Sequence, residues 1–250
     1  MSKTDPYAFA SQAGEATIKR LQITTLPIIP KKIAENHGIS VVAKSMDDAG
    51  CSGMLVRYGN EFAIAYATHH ENEGFENFSI AHELGHYFLP GHVDAVIGDA
   101  GSHVSRAGFS SVEKYETEAD RFAAGFLMPR QLFFPELSRA GTGLDAIISL
   151  AALCKTSLHA TAIRFTQCTR DPVAIIVSEN NFVNHCFMSS SLKNYDGIDW
   201  LKQRERIPNN TVSFALNASQ ENIINSVRMQ DTSNLQDWFG GHRSIEIAED

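Results

Sequence analysis

The chain has 250 residues, 43% of them hydrophobic and 20% charged, with a formal net charge of −8. That balance excludes a disordered or collagen-like chain, and the acidity argues against a protein whose main business is coating phosphate backbones. The four cysteines, Cys51, Cys154, Cys168 and Cys186, form no C-x-x-C pair. They read as mostly buried thiols in a reducing compartment rather than as a metal knuckle or disulfide framework. Residues 1–6 lack the apolar core of a signal peptide, and no stretch approaches the roughly 18–20 apolar residues that span a bilayer. The expectation is a cytoplasmic protein with no membrane partner.

In chain order, residues 6–37 read as helical in two pieces split near Leu26-Pro27. The second piece stops at Gly38, a residue suited to a left-handed helix end. Residues 39–43, 54–58 and 61–66 have strand character, and Gly59-Asn60 is a two-residue hairpin signal. A small antiparallel sheet is therefore expected ahead of a helix that starts near Asn77 or Ser79 and ends at Pro90-Gly91. Residues 91–110 lack periodicity and read as a long loop, functional or mobile. Ser110-Ser111-Val112-Glu113 is a capping box that opens a helix running to about Leu127, before Met128-Pro129.

From 144 to 166 two apolar-faced helical segments flank Lys155-Thr156-Ser157, an arrangement compatible with a helix-turn-helix. Lys155 and Arg164 are its only basic residues, so direct nucleic-acid binding is not expected. After Asp171-Pro172 the texture changes. Residues 173–177 and 182–188 predict a hairpin, 211–216 a strand, 219–227 a helix, and 244–250 a final strand rather than a frayed tail. The plan is α+β in four stretches. An N-terminal helical segment (1–26) precedes a candidate catalytic domain (27–142). A helix-turn-helix-like segment (143–170) and a smaller C-terminal α+β domain (171–250), suited to regulation or partner docking, follow.

One motif carries chemistry: His82-Glu83-Leu84-Gly85-His86. Residues four apart share a helix face, so His82 and His86 can present two imidazoles to one ion. Glu83 is displaced by about 100° around the axis and can serve as general base toward a water that zinc activates. By chance alone H-E-x-x-H arises in about one chain in forty of this composition, so the bare motif does not decide. Phe78, Leu84, Phe88 and Leu89 add apolar anchors, and a predicted sheet precedes it. A catalytic zinc site usually has three protein ligands and one open position. His92 has the spacing for a third ligand, but its turn would need a glycine where Leu89 stands. Glu116 and Asp120, four apart on the next helix, suit a ligand and a carboxylate that orients a ligand histidine. Glu116 is favoured, and Glu118 reads as a solvated charge. His69, His70, His103, His159, His185 and His242 lack ligand spacing, though His103, Tyr87 or Tyr115 could stabilise an oxyanion.

Ser79-Ile80-Ala81-His82-Glu83-Leu84-Gly85-His86, followed by Glu116-Thr117-Glu118-Ala119-Asp120-Arg121-Phe122-Ala123-Ala124 and Leu127-Met128-Pro129, resembles the ImmA/IrrE family of metallopeptidases over about residues 27–167. The resemblance implies a zincin-like fold, zinc held by His82, His86 and Glu116, and Glu83 as base. It also implies a protein substrate, a helix-turn-helix transcriptional repressor whose cleavage switches on stress or mobile-element genes. Two features would restrict access: the 91–110 segment over the cleft, and the region after 170, which could dock a particular partner; residues 61–68 are the candidate edge strand that pairs with substrate. The competing readings are a zinc hydrolase acting on another amide and a non-proteolytic regulatory binding protein.

Overall fold

The computed structural model describes residues 8–44, 52–68, 72–98, 101–105, 114–242 and 244–250. The chain divides into two compact units. One is built from residues up to Arg139 together with Ile148–Thr161, the other from Ala140–Ile147 and Ala162–Asp250. Both mix helices with small sheets. No single helix among the described residues is long and apolar enough to cross a membrane.

The first unit opens with α1 (Ala8–Arg20) and α2 (Pro30–Asn36). Pro30 sits in the first turn of α2, where a missing N–H costs nothing, and Gly38 at φ +74° turns the chain out. Strands β1 (Ser40–Lys44), β2 (Gly53–Tyr58) and β3 (Glu61–Ala67) follow, then α3 (Glu73–Phe88). Next come a π-helical turn (Val93–Ile97), β4 (Ser102–Ser105), α4 (Lys114–Leu127) and α5 (Arg130–Ala140). Helices α6 (Gly143–Cys154) and α7 (Leu158–Cys168) flank Lys155-Thr156-Ser157, where Lys155 takes φ +54° and Ala160 N–H donates to Ser157 Oγ.

Four details differ from the sequence expectation. The sheet is mixed rather than antiparallel: its order is β1-β3-β2-β4, with β1 parallel to β3. The Gly59-Asn60 hairpin fixes β2 against β3, and β1 takes the outer side of β3, a skip that no local signal marks. β3 is therefore internal and cannot be the edge that receives a substrate; β1 and β4 are the edges. Helix α3 starts at Glu73, earlier than expected, because Asn72 caps it by accepting from Phe75 N–H at 3.0 Å. The 91–110 stretch contains the π-helical turn and β4, the latter stabilised by antiparallel pairing with β2 rather than by its own composition. The capping box at 110–113 lies outside the described residues.

Helix α3 is buried almost all round from Asn77 to His86 because it packs against β2 and β3 and against α4. Its Ile80 and Leu84, with Leu55 and Ile64 of the sheet and Phe122 and Phe126 of α4, belong to the core. Phe122 stacks on both Phe88 and Phe126, and α1 packs along α4. A closely packed helix pair on a sheet is thus the frame that holds the polar residues of α3 in the interior.

The second unit has its own apolar centre of Met188, Leu192, Ile207, Leu235, Trp238 and Phe239. Strands β5 (Ala174–Glu179) and β6 (Phe182–Met188) form the expected hairpin, with Asn180 and Asn181 both left-handed at φ +50° and +63°. Short helices α8 (Ser190–Lys193), α9 (Val212–Asn217) and α10 (Gln220–Ile224) follow, then β7 (Asp231–Asn234), α11 (Leu235–Phe239) and β8 (Glu246–Glu249), which pairs with β7. The expected strand at 211–216 is helix α9. Thr211 caps it by accepting from Phe214 N–H, and the Glu249 carboxylate receives the Val212 and Ser213 N–H groups. Cys154 and Cys168 are buried and Cys186 half-buried; Cys51 lies outside the described residues.

Candidate active site

Helix α3 points His82 and His86 toward α4, and α4 returns Glu116 and Asp120. The two helices approach closely at Gly85, where a Cβ would stand 3.1 Å from Ala119 Cα and force them apart. The small residues at 85 and 119 thereby set the reach of the ionisable groups. Ligand atoms of His82, His86 and Glu116 all lie within 4.8 Å of one another, and all three residues are buried. His82 Nε2 and His86 Nε2 are 3.1 Å apart, and Glu116 oxygens stand 3.4 Å and 3.2 Å from them.

The outer ring atoms are already engaged. Asp120 Oδ1 accepts from His82 Nδ1 at 2.8 Å, and His86 Nδ1 is 3.2 Å from His92 Nδ1. Both Nε2 atoms are thus left facing a carboxylate. Two imidazoles and one carboxylate are the donor set of a divalent ion of the zinc type, so the residues fit a metal.

Burial alone would depress His82, but the Asp120 and Glu116 carboxylates outweigh it and push the ring up to about 10. Burial dominates at His86, which falls to about 4 despite its contact with Glu116. Glu116 is held far below the carboxylate range against the upward push of burial, because the rings of His103, His82 and His86 all lie against it. Burial raises Asp120 in spite of His82.

Glu83 is 0% exposed, and neither of its carboxylate oxygens has a hydrogen-bond partner among the described residues. Burial lifts it to about 7, partly offset by His82 and by nearby Ser105. The space it occupies exists because Gly53 of β2 has no side chain; a Cβ there would lie 2.5 Å from Glu83 Oε1. A buried carboxylate without partners is costly to fold around, and such groups concentrate where chemistry needs them.

The contacts of three neighbours escaped the sequence reading. His103 of β4 lies 2.8 Å from Glu116 Oε1 and is the one oxyanion candidate that reaches the triad. Tyr87 instead packs edge-on against Phe62 and Phe88, and Tyr115 against His92. His92 is not among the clustered ligand atoms, yet it contacts His86. The chain turns at Leu89 without a glycine, in extended geometry, and Gly91 at φ +78° completes the reversal. Glu118 is not a solvated charge: it is 3% exposed and lies 2.9 Å from His92 Nε2. Helical spacing could not reveal these contacts, because each joins two elements. His69 and His70 lie outside the described residues.

The family model of the IrrE N-terminal-like domain, the M78 peptidases, matches residues 34–166, just over half of the chain. The chain belongs to the M78 peptidase family. The matched span contains every residue of the buried cluster. None of the curated proteins matches the chain significantly. A solved structure of a Mycobacterium tuberculosis transcriptional regulator is similar in fold, with a TM-score of 0.50 and 17% identity, covering 72% of this chain and 55% of that one. The M78 chain therefore spans about half the length of that protein.

Proposed function

We propose that the protein is a cytoplasmic, zinc-dependent endopeptidase of narrow specificity with a zincin-like catalytic unit, and that its substrate is a helix-turn-helix transcriptional repressor. The observation that carries the peptidase reading is the fully buried Glu83 carboxylate, without a hydrogen-bond partner by distance and angle among the described residues, beside the His82–His86–Glu116 donor cluster. Zinc held by those three residues would polarise the scissile carbonyl and bring the pKa of a water to about 7. Glu83, buried beside the cluster, would take that water's proton and pass it to the leaving amide nitrogen. Asp120 fixes the ring of His82.

An extended substrate would pair with an open sheet edge. The outer side of β4 has no strand partner among the described residues, and β4 carries His103 into contact with Glu116. This edge replaces residues 61–68 as the docking strand. The substrate class rests on the family resemblance rather than on site chemistry.

The test is incubation with the repressor encoded by a neighbouring gene, with and without chelator, using wild type and Glu83→Gln. Wild type should make a single cut that chelator blocks. Glu83→Gln should retain metal and lose about 10²–10⁴-fold in rate. An intact repressor alongside rapid cleavage of casein would overturn the specificity, and a fully active Glu83→Gln would overturn the mechanism.

A further inference from the structure

We propose that His92 and Glu118 are positioning residues that lock His86 in the tautomer presenting Nε2 to a divalent metal ion. The inference rests on the reading that the His82–His86–Glu116 cluster holds such an ion. His86 Nε2 faces His82 Nε2 at 3.1 Å and Glu116 Oε1 at 3.2 Å, so Nε2 is its ligand atom. A neutral imidazole that offers Nε2 as a lone pair carries its proton on Nδ1. That Nδ1 lies 3.2 Å from His92 Nδ1, which must therefore accept. The proton of His92 is then on Nε2, 2.9 Å from Glu118 Oε2, an acceptor only. Each hydrogen in the chain from His86 to Glu118 has one consistent place.

The arrangement is enclosed. His92 and Glu118 are 1% and 3% exposed, and the Tyr115 ring meets His92 edge-on at 5.0 Å. Glu118 lies two residues beyond Glu116 on α4, so one helix supplies both a ligand and the far end of the chain that orients another ligand. The two histidines are thus secured differently. Asp120 binds His82 directly with a carboxylate, whereas Glu118 acts on His86 through a neutral ring.

A buried His–Glu pair could also be mere packing, and two substitutions separate the roles. His92→Phe fills the space but accepts nothing; His92→Asn leaves a gap but keeps an acceptor near the Nδ1 position. Positioning predicts that His92→Phe weakens zinc affinity about tenfold to hundredfold and His92→Asn distinctly less. Packing predicts the reverse order. Affinity is read by competition with a chromophoric chelator, and the cobalt-substituted visible spectrum should shift in His92→Phe. Glu118→Met, close in volume but without a carboxylate, should weaken zinc in the same direction. Should a variant fail to fold, nitrogen-15 NMR of the zinc-loaded wild type stands alone: His86 must carry its proton on Nδ1 and His92 on Nε2. Protonation of His92 at Nδ1, or wild-type zinc affinity in His92→Phe, overturns this inference alone. A wild-type protein that takes up no zinc overturns both it and the proposed metal site.

Discussion

Glu116 in the first unit and Glu249 in the second are both held below the ordinary carboxylate range, each against the upward push of burial. Their surroundings differ in kind. Glu249 receives Val212 N–H, Ser213 N–H, Ser213 Oγ–H and the Trp238 indole N–H, at 2.6–3.2 Å. Three of those four donors are N–H groups with no lone pair to offer an ion, and the carboxylate fastens α9 and α11 to β8. Glu116 is met by three imidazoles, a side-chain type whose ring nitrogens bind metal ions. A depressed carboxylate is therefore no mark of a functional site by itself; what matters is whether its partners could bind something else.

The comparison can be broken in three ways. The largest effect is expected for Glu116→Ala. Losing only a hydrogen-bond partner of a metal-binding histidine already costs about tenfold to hundredfold in affinity. Removing the ligand itself should exceed about hundredfold in chelator competition, with the melting of the second unit unchanged. A smaller effect concerns protons. In the metal-free protein His82, at about 10, is charged near neutrality, whereas His86, at about 4, is already neutral. Metal uptake should therefore displace at least about one proton, and affinity should climb by about tenfold or more per pH unit between pH 6 and 8. Calorimetric heats that do not depend on the buffer's ionisation enthalpy would contradict this.

The smallest effect is expected for Glu249→Gln, which cannot accept from every donor that Glu249 serves and should destabilise the second unit by about 1 kcal/mol in urea. Because the folded pKa of Glu249 lies below its ordinary 4.5, this stabilisation is present above about 4.5 and is lost as pH falls through the folded value. The deficit of Glu249→Gln should accordingly shrink in acid, while its zinc affinity stays at the wild-type level.

What could be read in the sequence was what a single helix or hairpin encodes. The spacing of His82 and His86, the Glu116–Asp120 pair, the Gly59 hairpin and the end of α2 at Gly38 all rest on contacts within a few residues. The misread features depend on distant partners. Residues 211–216 alternate like a strand, yet Glu249 supplies the acceptor that lets them start a helix. Ser102–Ser105 has no strand signature, and its pairing is provided by β2. Glu118 has the composition of a solvated charge and is buried because His92, from a turn 26 residues earlier, needs an acceptor.

The chain has only two tryptophans, Trp200 and Trp238, and both belong to the second unit. Trp200 is 63% exposed, whereas Trp238 is buried with its indole N–H on Glu249. The peptidase unit is consequently dark to light that only indole absorbs, and its unfolding leaves no direct trace in tryptophan emission. Emission from the intact protein is a private channel to the C-terminal unit, with Trp238 reporting the Glu249 junction and Trp200 the solvent. Any change in that emission when metal or substrate is added would report an event at the C-terminal unit itself, recorded without a label.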